Sequence, residues 1–145
     1  MSQLQKLFQE KFASINKSVF IQDNLTTNQD IIKFHYSPKK ESEFEVIVEV
    51  YQNGYSICCG GWHDYIEKDE FEFDEELVNQ IIKKLEIIFN GNIKLRIYSA
   101  GKKPYRWEMI SDKPENKISS LNITGLILYN YFTKKSFQDK INYAV

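Results

Sequence analysis

From Phe44 to Tyr51 the side chains alternate, with Phe44, Val46, Val48 and Val50 on one side and Glu45, Ile47, Glu49 and Tyr51 on the other. A period of two over this length is the mark of a strand with one buried face. Asn53-Gly54 follows, a dipeptide suited to the two positive-φ positions of a type I′ hairpin turn. A two-residue loop there predicts Gln52 opposite Tyr55, Val50 opposite Ile57, Glu49 opposite Cys58 and Val48 opposite Cys59. In this register Ile57 and Cys59 join the valine face, while Cys58 meets Glu49. Continued pairing would bring Trp62 near Glu45 and His63 near Phe44.

The period then changes. Leu77, Val78, Ile81, Ile82, Leu85, Ile88 and Phe89 recur at helical spacing, so Asp74 to Phe89 reads as an amphipathic helix. Asp74, Glu75 and Glu76 suit its positive start, and Asn90-Gly91 supplies a stop. A first helix, capped by Ser2 and running to about Ile15, carries Leu4, Leu7, Phe8, Phe12 and Ile15 on one face. Short strands are expected in VFIQD from Val19 and in IIKFHYS from Ile31, with NLTTNQD as a polar turn between them. Further strands are expected at Ile93–Ser99 and Tyr105–Ile110, in a buried run from Gly125 to Phe132, and as an edge strand after Lys135. Helix, four strands, helix and three strands, mostly joined by short turns, predict a single α+β domain spanning the 145 residues. The sheet should be largely antiparallel, with both amphipathic helices packed on one face.

Charge is distributed unevenly. The net charge is -1, but Asp64 to Glu76 holds one lysine and eight acids, and the chain from Leu77 onward holds twelve basic and five acidic residues. The overall balance and a pI of about 6.1 argue against nucleic acid and membrane surfaces as partners. The two cysteines, Cys58 and Cys59, are adjacent and would point to opposite faces of a strand, so they suit a reducing, cytoplasmic setting rather than a disulfide framework. The N-terminal segment lacks the apolar block of a secretory signal, and no run approaches the ~20 apolar residues of a membrane helix.

The residue types that could carry chemistry gather in Gly60-Gly61-Trp62-His63-Asp64-Tyr65-Ile66-Glu67. His63, Asp64 and Glu67 could ligate a metal, but the remaining ligand of a defined coordination shell cannot be named, so no metal is expected. A cysteine nucleophile would need a base within reach. Cys59 on the valine face reads as a small buried hydrophobe, and Glu49 beside Cys58 would raise its thiol pKa. A pocket near His63, Cys59 and Arg106 is the alternative that would make this a small enzyme or ligand-binding protein. No phosphate-binding glycine loop, nucleophile elbow, HExxH or CxxC motif is present, so neither a catalytic residue nor a cofactor is expected.

The segment DYIEKDEFEFDEE reads in two ways. As a solvated lead-in to the helix it explains Asp74, Glu75 and Glu76. As a docking patch for a basic protein, acidic and dotted with Tyr and Phe, it explains Asp64, Glu67, Asp69, Glu70 and Glu72, with Trp62 and Tyr65 among its residues and aromatic anchors supplying affinity. In the basic half, Lys94, Arg96, Lys102, Lys103 and Arg106 lie among Tyr98, Tyr105 and Trp107, a composition that can stack bases. Tyr105 and Trp107 would share a face from which Arg106 points away, and pairing of the basic face with the chain's own acids is an equal alternative.

The stretch from Val46 to Phe89, with its Asn-Gly hairpin, GWHDYIE, acidic connector and amphipathic helix, resembles small bacterial immunity proteins of polymorphic and contact-dependent toxin systems. The resemblance implies a cytoplasmic protein that binds a cognate toxin and blocks its active site or docking surface; the acidic segment implies that such a toxin is basic, as a nuclease would be. Trp62, His63, Asp64 and Tyr65 would be its surface or structural signature. Nothing in the residues fixes the oligomeric state.

Overall fold

The computed structural model describes residues 1–15, 25–28, 30–111, 113, 122–124 and 134–143. Along these residues run α1 (Gln3–Ala13), β1 (Leu25–Asn28), β2 (Ile31–Tyr36), β3 (Val46–Val50), β4 (Gly54–Cys59), β5 (Trp62–Glu67), α2 (Asp74–Phe89), β6 (Asn90–Ala100), β7 (Lys103–Ser111), β8 (Asn122–Thr124) and β9 (Lys135–Tyr143). The expected strands at VFIQD and from Gly125 to Phe132 fall outside the described residues.

The chain is a single α+β domain whose described strand pairings are all antiparallel. The strands divide between two sheets, where one was expected: the first in the order β1-β2-β3-β4-β5, the second in the order β8-β7-β6-β9. The segment NLTTNQD, read as a turn, instead contributes β1, paired with β2.

Helix α1 begins as the sequence predicts. Ser2 Oγ accepts from the Gln5 amide at 3.3 Å, and the Ser2 amide donates to Gln5 Oε1 at 2.9 Å, a reciprocal capping box. The Gln5 side-chain Nε2 also donates to the backbone carbonyls of Asp30 and Val50, which locks the helix to the β1–β2 turn and the end of β3. Helix α2 has Phe73 at its N-cap, with no side-chain hydrogen bond, and so forgoes about 1 kcal/mol. Burial of Leu77, Val78, Ile81, Leu85, Ile88 and Phe89, at about 2 kcal/mol per side chain, more than offsets that loss.

One apolar cluster joins both helices to the buried faces of β2, β3 and β4. The valine face appears as predicted: Val46, Val48, Val50, Tyr55, Ile57 and Cys59 are all inaccessible to solvent. The β3–β4 register, however, is shifted by two residues: Val50 lies opposite Tyr55, Val48 opposite Ile57, Ile47 opposite Cys58 and Val46 opposite Cys59. The chain reverses across Gln52-Asn53, with the Tyr51 amide donating to the Gly54 carbonyl at 2.8 Å. Gly54 does not take the left-handed backbone. Its missing Cβ serves packing instead, since a methyl group there would stand 2.5 Å from the Ile66 carbonyl oxygen on β5.

Nor does pairing continue past Cys59 toward Phe44. Gly60, at φ 59°, and Gly61 reverse the chain into β5, placing Trp62 opposite Cys59 and His63 opposite Cys58. This turn is also where the two sheets meet: Gly60 abuts Leu95, and Gly61 abuts the Trp107 indole. A second junction forms where the Ile141 amide donates to the Ser42 carbonyl at 2.9 Å. Beside it the buried Asn142 side chain bonds both the Phe44 amide and its carbonyl, each at 2.9 Å.

Candidate docking surface

The register of β4 and β5 sets the stage. Cys59 and Trp62 lie at the junction end of the pair, and Gly54 and Glu67 at the other. Six extended residues span about 20 Å, so Glu67 and the connector after it lie well away from the second sheet. The Lys68 amide donates to the Asn53 carbonyl at 2.8 Å, tying the connector to the β3–β4 hairpin.

The connector is ordered by its own carboxylates. The Asp69 amide donates to Glu72 Oε2 at 3.0 Å, the Glu70 amide to Asp69 Oδ1 at 2.8 Å, and the Glu72 amide to the Asp69 carbonyl at 3.1 Å. Lys68 Nζ pairs with Asp74 Oδ1 at 2.7 Å. Among the described residues, no ion pair engages Glu67, Asp69, Glu70 or Glu72. Glu67, Lys68, Asp69 and Glu70 line an open depression of about 360 Å³.

Two large apolar side chains stand out from this acidic turn. Phe71 is 87% exposed and Phe73 72% exposed. Tyr65, 56% exposed, lies on the outer face of β5 with its ring 5.9 Å from that of Tyr51. The expected patch named Tyr65 but neither phenylalanine. Their alternation with glutamates was visible in the sequence, but only the turn at Asp69–Glu72 places both outside the core.

Other expected members lie elsewhere. Trp62 is fully buried in the core at the junction end of β5, away from the connector, and cannot anchor a partner. Asp64 sits opposite Ile57 on the helix side of the sheet, where its charge acts on Tyr55 and Lys84. There Lys84 Nζ donates to the Tyr55 hydroxyl at 2.7 Å, and that hydroxyl donates to Gln80 Oε1 at 3.4 Å. Burial pushes the Lys84 pKa down and the Tyr55 pKa up, an interior polar contact with its partners in place.

His63, Cys59 and Arg106 are not brought together. Cys59 points into the core and its thiol pKa is raised by burial. His63 is exposed on the opposite face of the sheet, across from Cys58. Arg106 belongs to the second sheet, its guanidinium 5.0 Å from the Tyr98 ring centroid. Burial also raises the Cys58 thiol pKa, and Glu49 and Glu45 push the same way. Glu49 therefore acts as expected although Ser56, not Cys58, lies opposite it. No group of three or more His, Cys, Asp or Glu side chains able to hold a metal occurs among the described residues. No described helix is long and apolar enough to cross a membrane.

No protein-family model, no curated protein and no solved structure matches this chain.

Proposed function

We propose that this chain is a non-catalytic protein-binding domain of the immunity type, which neutralises a basic protein, such as a nuclease toxin, by docking its acidic connector on it. The observation that carries this reading is the exposure of Phe71 and Phe73 in a turn ordered by carboxylates. Seating each ring in a partner pocket would contribute about 2 kcal/mol. Glu67, Asp69, Glu70 and Glu72 around them would steer a cationic partner and reject an anionic one. Phe73 strengthens the case, because it occupies a helix N-cap where Ser, Thr, Asp or Asn would stabilise the fold better. A local rule broken at an exposed position is the pattern of a residue retained for contact.

The enzyme alternative lacks comparable support, since His63, Cys59 and Arg106 face three different environments. The test is co-expression with the protein encoded beside this chain's gene, followed by calorimetry on the purified pair. The expected result is a 1:1 complex weakened by salt. Phe71→Ala with Phe73→Ala should weaken it by about a thousandfold, at about 2 kcal/mol per ring, and charge reversal at Asp69, Glu70 and Glu72 should slow association. Unchanged affinity in both variants would sink the proposal.

A further inference from the structure

The outer face of the second sheet has the opposite chemistry. Arg96 on β6 lies in register with Glu108 on β7 and Asp139 on β9, and Tyr98 lies in register with Arg106 and Phe137. Residues paired across neighbouring strands share a face, so these six side chains form two adjacent rows. Arg96 is held by Asp139 through two bonds, Nε to Oδ1 at 2.8 Å and Nη2 to Oδ2 at 3.0 Å. Its guanidinium lies 4.3 Å from the Phe137 ring centroid. The Tyr98 hydroxyl donates to Glu108 Oε2 at 2.7 Å, with the Phe137 and Tyr105 rings 6.3 and 6.4 Å from the Tyr98 ring. Phe137 remains 58% exposed.

Lysines gather at one end of this face. The β6–β7 hairpin carries Lys102 and Lys103, and the Gly101 amide donates to the Lys134 carbonyl at 2.8 Å. Lys102, Lys103, Lys134 and Lys135 are therefore neighbours, and all are exposed. Lys94 is exposed farther along β6. Glu108 and Asp139, the carboxylates of the two rows, are bonded to Tyr98 and Arg96. The connector's acids lie at the far end of the other sheet. A pI of about 6.1 thus averages two segregated surfaces and describes neither.

We propose that this face binds single-stranded nucleic acid, with bases stacked against Phe137 and Tyr98 and phosphates running onto Lys102, Lys103 and Lys134. A sheet face with Phe137 exposed, the half-buried Tyr98 ring beside it, guanidinium groups next to both and lysines at the rim combines stacking with backbone neutralisation, as unpaired strands require. A duplex hides its base faces and gains nothing from the rings. An acidic polypeptide would engage the lysines but has no planar bases for Phe137.

The test uses the full chain and fluorescence anisotropy with labelled oligouridine and oligothymidine of about 12 nucleotides, a length within the range one such module covers. A duplex of equal length and polyglutamate serve as competitors. Either single strand should bind at about 50 mM salt and lose affinity steeply as salt rises. Neither competitor should displace it at equal charge. Phe137→Ala should weaken binding about tenfold with an unchanged melting temperature. Lys102→Ala with Lys103→Ala should also lower the salt dependence by about one counterion per lysine. Charge reversal at Asp69, Glu70 and Glu72 should leave this binding intact, which separates it from the connector's role. Absence of binding, displacement by polyglutamate, or indifference to Phe137→Ala would each overturn the proposal. So would salt-sensitive self-association lost on reversing the connector's charges, which would assign the face to a second copy of this chain.

Discussion

Gly61 lies flat against the indole of Trp107: a methyl group on its Cα would stand 2.3 Å from both Cε2 and Nε1 of that ring. The contact joins the β4–β5 turn to β7 and so couples the two sheets. Gly61→Ala should destabilise the fold by about 1–3 kcal/mol through overpacking. Urea denaturation should show a lower midpoint with an unchanged slope. Trp107→Leu in the same chain should recover part of the loss, and an unaltered midpoint in the single variant would refute the coupling.

Asn142 provides the other tie between the sheets. Asn142→Leu would leave the buried Phe44 amide and carbonyl without that partner, at a cost of about 2–4 kcal/mol for two unsatisfied groups. Equilibrium unfolding measures the cost, and hydrogen exchange should show the Phe44 amide losing protection.

Phe73 should trade stability against contact. Phe73→Ser restores a capping hydroxyl to α2 and should raise stability by about 1 kcal/mol, while weakening the protein complex. A variant that is both less stable and fully competent to bind would contradict the role assigned to this side chain.

Asp139 should make the second sheet sensitive to acid. Its hydrogen bonds and ion pair with Arg96 hold its carboxyl pKa below the usual value. A depressed folded pKa contributes stability that is complete above the unfolded value, near 4, and is lost as pH falls through the folded value. Asp139→Asn should therefore be less stable than the parent at pH 7, and the gap should close below about pH 4. Denaturant titrations at both pH values provide the comparison.

Neither thiol should behave as a nucleophile. Burial and the charges of Glu49 and Glu45 raise the pKa of Cys58, partly offset by Lys33, and Cys59 is enclosed. Iodoacetamide at pH 7 should label native protein slowly and at Cys58 alone, with Cys59 reacting only after denaturation. Glu49→Gln should speed labelling at Cys58, because removing a neighbouring negative charge lowers a thiol pKa. Mass spectrometry resolves the two positions, and rapid labelling of Cys59 in the native state would contradict its burial.

Helix α2 could be read from the chain because its apolar positions repeat at 3.6 residues over four turns, a pattern that only one backbone can bury on one side. The valine face of β3 was equally legible from strict alternation. The hairpin register was not. Asn53-Gly54 satisfies a type I′ turn by local rules, but Gly54 is needed against the Ile66 carbonyl, and that demand comes from a third strand. A register shift of two residues preserves which side each residue faces, so Ile57 and Cys59 kept the face assigned to them while every cross-strand partner changed.

The candidate surface divides in the same way. The acidic charge of Asp64 to Glu76 is a property of composition. Whether Trp62 or Phe71 supplies an anchor depends on the folded core around Trp62 and on the turn that carries Phe71. The bulk of Trp62 is taken up by the core beside Cys59, whereas the turn at Asp69–Glu72 lifts Phe71 and Phe73 clear of it.

The amino-acid order by itself determined the helices, the buried face of the central hairpin and the separation of charge, because each follows from spacing along a single segment. Tertiary structure decided the division into two sheets, the use of the glycines and the burial of Trp62 against the exposure of Phe71 and Phe73. Those outcomes depend on which distant backbone approaches a given residue, and local periodicity carries no record of that approach.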